Sequence, residues 1–328
     1  MNKKIMVGIQ SNGIPHLGNI ISVILPTLSY IKNNNNIIYI MIADLHSLTD
    51  YKNSIILKQN IYYNAAVWLS FNINKYINNK VFFFRQSDIK EINILFWYLN
   101  CFYPFNRTKL FHIIKNKTKI KYNLGSINYP ILMAADILLH DINKVIIGLD
   151  QIQHLEITRK IAKIFNNKLN KKIFKIPEYI IPVKQIIPGI DGQKMSKSLN
   201  NIINIYSEKD VLKKQIMNIK TSNESINKIS YNNIKNTTLL RLYKIIADKN
   251  EYLNIKYKIK NNKIGFYNIK EKLYKYIIYK YKNKIKRFYY FLNNKKFIKK
   301  KLLKSYKKIR KISKNKINLI KEKIGLNI

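Results

Sequence analysis

Gly8-Ile9-Gln10-Ser11-Asn12-Gly13-Ile14-Pro15-His16-Leu17-Gly18-Asn19 is the stretch on which the fold turns. Ile5 to Gln10 is a run of strand length, Ser11 to Pro15 is rich in turn formers, and Leu17 to Lys32 reads as a helix. A strand that feeds a tight turn and then a helix is the opening of a β-α-β unit. The start of such a helix presents backbone N–H groups without a chain partner and the positive end of the helix dipole, which suits phosphate. Gly18 lets a nucleotide approach the backbone, and His16 can donate to phosphate oxygens. The spacing is not that of a GxGxxG fingerprint. An HxGN string alone also fits an ordinary turn before a helix.

Working outward, Ile37 to Ala43 reads as a second strand and Ile55 to Leu69 as a helix with a polar face. Val81 to Phe84 is a third strand, and Val145 to Gly148 a further one that feeds a helix over Ile152 to Phe165. Alternating strands and helices predict an α/β fold, a Rossmann-like parallel-sheet domain, over residues 1–204. Beyond residue 205 glycine occurs only at Gly265 and Gly325, and Leu, Ile, Tyr and Phe recur at helical spacing among lysines from Val211 to Ile320. From residue 250 onward the only acids are Glu251, Glu271 and Glu322. These features predict an all-helical C-terminal domain over 205–328 with a basic surface, with loops at Asn33 to Asn36 and around 222–236.

The 328 residues suffice for two cores, and 47% are apolar. Lys and Arg number 61 against 17 Asp and Glu, a formal charge of +44, which points to a polyanion such as nucleic acid. The abundance of Lys, Asn, Ile and Tyr also fits the codon usage of an AT-rich genome, so the sign of the charge speaks for RNA more than its size does. A single cysteine, Cys101, rules out an intrachain disulfide, a cysteine zinc site and a CxxC motif. No bound structural metal is expected, and a reducing compartment fits. The opening Met1-Asn2-Lys3-Lys4 precedes too short an apolar run for a signal peptide, and Ile37 to Ala43 falls far below the roughly 20 residues that span a bilayer. A soluble, cytoplasmic protein without a membrane partner is expected.

A second motif is Asp191-Gly192-Gln193-Lys194-Met195-Ser196-Lys197-Ser198, in a loop after Pro188-Gly189. A mobile loop with two ammonium groups can close over a triphosphate and neutralise charge that develops in a transition state. In so basic a chain the plain alternative is a solvated lysine loop. The KMSKS string gains meaning from the HxGN turn far upstream.

Four stretches in this order resemble the class I aminoacyl-tRNA synthetases, and within them the tryptophanyl-tRNA synthetase family along nearly the full length. Residues 8–19 are similar, with gaps, to its opening G-x-Q-P-S/T-G-x-x-H-I/L-G-N. Tyr129-Pro130-Ile131-Leu132-Met133-Ala134-Ala135-Asp136 is similar to its most telling segment, and Gly148-Leu149-Asp150-Gln151-Ile152-Gln153-His154-Leu155-Glu156-Ile157-Thr158-Arg159 resembles its G-x-D-Q-x-x-H-x-E run. The KMSKS loop is the fourth. Two rivals stand beside this resemblance: the tyrosyl sister family, which shares HxGH and KMSKS, and a non-catalytic RNA-binding protein that kept the fold.

The resemblance implies a catalytic domain over 1–204 and a tRNA-anticodon-binding domain over 205–328. It implies that tryptophan is activated with ATP and Mg²⁺ to an adenylate, with loss of pyrophosphate, and passed to tRNA(Trp) by a homodimer. By the same resemblance His16, Lys194 and Lys197 act on the phosphates, and Gln10, Ser11, Asn12, Gly18, Asn19, Met195, Ser196 and Ser198 help hold ATP. Gly148, Leu149 and Asp150 meet the adenosine. Asp136 accepts the indole N–H, which selects indole over phenyl because indole is a donor only. Tyr129, Gln151 and Gln10 hold the amino-acid head group, and Met133, Val145 and Ile147 line the indole slot. His46 follows a strand end, where ligands gather, and is a further binding candidate. Glu156 and Arg159, one turn apart, read as an internal ion pair. The chain departs from the family at Ser11 and Asn12, where Pro and Ser or Thr are usual, and at Arg107 to His112, where a T-Q-F-K-type stretch is usual.

Overall fold

Unbroken apolar strands are stable only where both faces are covered, which a parallel sheet with helices on each side provides. The computed structural model describes residues 3–33, 35–51, 53–77, 79–110, 123–183, 186–221, 234–261 and 263–327. Most of the loop expected around 222–236, and Phe111 and His112 of the departing stretch, lie outside the described residues. The strands are β1 (Lys3–Gln10), β2 (Asn36–Ala43), β3 (Val81–Arg85), β4 (Lys144–Ile146) and β5 (Glu178–Ile180). In chain order the helices are α1 (Leu17–Asn19), α2 (Leu25–Lys32), α3 (Ser54–Ser70), α4 (Lys90–Phe102), α5 (Leu124–Leu139), α6 (Ile152–Lys168), α7 (Lys209–Met217), α8 (Thr238–Ile246), α9 (Lys249–Lys260), α10 (Phe266–Asn293) and α11 (Lys295–Lys323). Ile20–Ile24, between α1 and α2, is π-helical.

The chain forms two compact units. The first comprises Met1–Gly13, Leu25–Pro182 and Phe291–Ile328, and holds the whole sheet. Its strand order is β3-β2-β1-β4-β5, every neighbouring pair parallel. Pairing of Gln10 with Ala43 and of Ile42 with Arg85 aligns the C-terminal ends of β1, β2 and β3. Strand order reverses between β1 and β4, the switch point beside which α/β folds bind ligands. Asn53 and Asn123 cap α3 and α5 by accepting the N–H groups of Ile56 and Ser126 at 2.8 Å each, which fixes where these helices start. The core joins Met6, Tyr39 and Phe84 of the sheet to Leu95 and Leu99 of α4, Ile131 and Leu138 of α5, and Phe165 of α6. Ile309, Ile317 and Ile320 of α11 belong to the same core, so the last helix packs with the sheet.

The second unit comprises Ile14–Ile24 and Val183–Tyr290. Helical spacing of apolar residues accounts for its buried Leu239, Leu242, Tyr243 and Ile246 on α8 and Ile269, Leu273 and Ile277 on α10. Leu17 N–H donates to the carbonyl of Ile203 at 2.9 Å, tying the start of α1 to the segment that follows the KMSKS loop. The family-like turn at 8–19 is thus shared: its strand and turn belong to the first unit and its helix start to the second.

Candidate active site

In the first unit, the C-terminal ends of β2 and β3 deliver polar groups to one carboxylate. After β2 the chain turns through Asp44 and His46, and after β3 through Gln86. Asp44 is buried and accepts the Ser87 N–H at 2.9 Å and the Ser87 hydroxyl at 2.5 Å, joining the two turns. Asp136 projects from α5 and is 1% exposed. Gln86 Nε2 lies 3.0 Å from each of its oxygens, and His46 Nε2 lies 3.2 Å from Oδ2. Burial pushes the Asp136 carboxyl above the usual carboxylate range, against the opposing pull of His46 and Gln86. The His46 ring packs on Tyr129 with centroids 4.1 Å apart, and Tyr129 packs on His154 at 5.3 Å. The Tyr129 hydroxyl is held far above its ordinary pKa, chiefly by burial.

At the end of β1, the Ser11 N–H donates to Ser47 Oγ at 2.7 Å, and Ser11 is buried while Asn12 is exposed. Across the switch point, Val145 lies in β4, whereas Ile147 and Gly148 have already left the strand that the sequence pattern carried through them. Leu149 and Asp150 are exposed, and Gln151 Nε2 donates to Asp150 Oδ2 at 3.0 Å. Val145 and Ile147 are buried, and Met133 of α5 is partly buried and packs against the same core. Glu156 and Arg159 form the expected ion pair at 3.1 Å.

The second unit holds the phosphate-directed candidates. His16 caps α1 and is 7% exposed, and its backbone N–H donates to Asn19 Oδ1 at 3.1 Å. Burial, then the nearby Lys197 and Lys194, pull the His16 ring down to about 4, so it is neutral at physiological pH. The Gly18 N–H points at the sulfur of Met195, 3.2 Å away. A side chain at Gly18 would stand 2.9 Å from the His16 ring and 3.3 Å from that sulfur, so glycine is needed for this approach. The KMSKS loop is shaped by Asn201, 2% exposed, which accepts the Ser196 N–H at 2.7 Å and donates to Asp191 Oδ1 at 2.8 Å and the Lys194 carbonyl at 3.0 Å. Ser196 and Ser198 hydroxyls lie 2.8 Å apart. Burial brings the Lys197 ammonium down to about 8.

The structure therefore groups Asp136, His46 and Tyr129 in one unit, and His16, Gly18, Lys194, Met195 and Lys197 in the other. Sequence reasoning missed Gln86, Ser47, His154 and Asn201. Gln86 was open to the rule that flagged His46, since it too follows a strand end.

Comparison with known proteins extends this geometry. The family of tRNA synthetases class I (W and Y) matches residues 2–260. The tryptophan–tRNA ligase of Fusobacterium nucleatum is 37% identical over 254 residues, covering 76% of each chain. That of Campylobacter jejuni is 32% identical over 326 residues, covering 98% of this chain and 100% of its own. A crystal structure of tryptophanyl-tRNA synthetase from Campylobacter jejuni, complexed with ADP and tryptophan, superposes with a TM-score of 0.89 at 32% identity over 98% of this chain and 100% of that one. With a family match over most of its length and relatives of one activity across nearly all of it, the chain belongs to the class I tRNA synthetases of the tryptophan and tyrosine type, and among them to the tryptophan–tRNA ligases.

Proposed function

We propose that the chain activates L-tryptophan with ATP and transfers it to tRNA(Trp), with Asp136 as the group that selects the indole. The observation that carries the assignment is the Asp136 carboxylate. Its Oδ2 meets Gln86 and His46, whereas Oδ1 meets Gln86 alone and keeps a lone pair for one more donor. Indole N–H is such a donor, and a phenyl ring is not. A tyrosine hydroxyl can donate as well, but it sits at the tip of its ring rather than on a second fused ring. Tyr129, Gln151 and Gln10 are proposed to hold the ammonium and carboxylate, and Met133, Val145, Ile147 and His46 to bound the indole. The Campylobacter jejuni relative, crystallised with ADP and tryptophan, supports this reading.

In the reaction a tryptophan carboxylate oxygen attacks the α-phosphorus of ATP in line. The new P–O bond forms as the bond to the β-phosphate bridge breaks, and pyrophosphate leaves with the electron pair. A hydroxyl of the terminal tRNA adenosine then attacks the acyl carbon and AMP leaves. No side chain needs to bond covalently, so the work is positioning and charge stabilisation. His16, as a neutral donor, and the ammonium groups of Lys194 and Lys197 are proposed to meet the phosphates, with Mg²⁺ arriving on ATP as part of the substrate. Gln10, Ser11, Asn12, Gly18, Asn19, Met195, Ser196 and Ser198 are proposed as further ATP contacts, and Gly148, Leu149 and Asp150 as contacts to its adenosine. In this reading residues 1–204 carry the chemistry and the basic region 205–328 meets tRNA.

A homodimer in the cytoplasm completes the proposal. Trp97 on α4, Phe105 just beyond it and Leu124 at the start of α5 are exposed large apolar side chains of the kind a second copy would cover. No described helix is long and apolar enough to cross a membrane. The deciding experiment is ATP–pyrophosphate exchange with each standard amino acid in turn. Exchange with tryptophan alone is expected. Exchange driven by tyrosine and not by tryptophan would overturn the assignment.

A further inference from the structure

The buried face of α11 is not purely apolar. Ser305, Ser313 and Lys316 are buried on it among Ile309, Ile317 and Ile320. Buried hydroxyl and ammonium groups are costly unless they are satisfied, and each of these reaches outside its own helix. Ser305 Oγ accepts the backbone N–H of Phe83 at 2.9 Å. Ser313 Oγ lies 3.2 Å from His140 Nε2. Lys316 Nζ donates to Asp141 Oδ1 and to the Ile173 carbonyl at 2.7 Å each.

The tautomer of His140 follows from its neighbours. Its Nδ1 lies 2.7 Å from the backbone carbonyl of Asp136, a pure acceptor, so Nδ1 carries the proton. His140 is fully buried and burial pulls it down to about 4, so the ring is neutral and Nε2 offers a lone pair. Nε2 can then only accept, so the single Ser313 proton is shared between it at 3.2 Å and the Ile309 carbonyl of the same helix at 3.0 Å. A chain of hydrogen bonds runs from α11 through His140 to the backbone that bears the Asp136 carboxylate. The Ser305 bond reaches β3 at Phe83, three residues before Gln86, which holds both oxygens of that carboxylate.

We infer that α11 is a positioning element for tryptophan selection: Ser313 and His140 fix the Asp136 backbone, and Ser305 fixes Gln86 through β3. The inference rests on the reading of Asp136 as the acceptor of the indole N–H. These residues act through Asp136 and Gln86, so their loss moves the carboxylate without removing it. A misplaced acceptor weakens tryptophan binding, whereas the phosphate-directed candidates lie in the other unit.

The test compares Ser313→Ala, Ser313→Thr, His140→Phe and Asp136→Ala with the unaltered protein in pyrophosphate exchange, with thermal unfolding in parallel. Ser313→Ala and His140→Phe are expected to raise the KM for tryptophan about 3- to 10-fold, the scale of one hydrogen bond. They should also narrow the ratio of kcat/KM for tryptophan over phenylalanine, in the direction of Asp136→Ala. The KM for ATP should stay within about 2-fold, and Ser313→Thr, which keeps the hydroxyl, should restore the tryptophan KM. Should His140→Phe fail to fold, Ser313→Ala, which removes one oxygen, decides alone. Variants with a lowered Tm but an unchanged tryptophan KM and ratio would overturn the inference, as would equal rises in both KM values. If Asp136→Ala itself left the ratio unchanged, the reading of Asp136 would fail, and that outcome is separate from a failure of α11.

Discussion

The Gln86 side chain faces Asp136 with its nitrogen, and the orientation is forced: its carbonyl oxygen accepts the backbone N–H groups of Leu45 at 3.1 Å and His46 at 3.2 Å. One amide thus ties the turn after β2 to the carboxylate on α5. Gln86→Leu would strand two backbone donors and strip a buried carboxylate of its main partner. We expect a loss of about 2–4 kcal/mol in urea unfolding together with a higher KM for tryptophan. A loss below about 0.5 kcal/mol would mean that this network carries little weight.

Asp136→Ala should weaken the use of tryptophan by roughly 1.5–3 kcal/mol, the range for a hydrogen bond to a charged group. The variant no longer leaves an unpaired acceptor when phenylalanine binds, so the gap between the two amino acids should narrow. The measurement is kcat/KM for each in pyrophosphate exchange. Equal losses for both would make Asp136 a structural residue.

Burial lowers the Lys197 ammonium to about 8, within reach of ordinary assay conditions. Its charged form is the useful one toward a triphosphate, and that form is lost as pH rises through this value. The kcat/KM for ATP should therefore fall on the alkaline side of about pH 8, because that ratio reports the free enzyme. Lys197→Arg keeps the charge at all accessible pH and should move the alkaline limb upward, even where the altered shape slows the reaction. An alkaline limb at the same position in both proteins would remove Lys197 from the phosphate site.

On its outer face α11 exposes Lys304, Lys307, Lys311 and Lys314. If these meet the tRNA backbone, affinity should fall steeply with salt as counterions are released. Replacing Lys304 and Lys311 with Ala should reduce the slope of log affinity against log salt by roughly 1.5–2. Pyrophosphate exchange, which needs no tRNA, should change far less. A slope unaffected by both substitutions would place the tRNA elsewhere.

The parts of the fold legible in the sequence are those whose signal is local. β1, β2 and β3 are apolar runs between turn formers, and the structure places them within a residue or two of the reading. β5 was invisible, because three residues with one partly buried isoleucine carry no period. The π-helical geometry of Ile20–Ile24 leaves no mark on spacing that an α-helix would not also leave. At the site, Asp136 stood out through the segment around it, whereas Gln86 did not: a glutamine after a strand is ordinary until its partner, 50 residues on, is known. Nothing in the sequence set Ser305, Ser313 and Lys316 apart, since a helix pattern shows where polar residues recur but not which of them find buried partners.

The hydroxyl of Ser305 closes over the backbone of Phe83 across 222 residues of sequence. β3 is the outermost of the described strands, so its outward N–H at Phe83 has no strand neighbour among them. On the ribosome, that edge emerges long before the helix that covers it. The nascent sheet must wait, with an open edge able to pair with other chains, until synthesis has passed residue 305. Long-range closure of this kind slows folding, so a stall in translation anywhere between the third strand and the last helix leaves the unit that carries Asp136 unfinished.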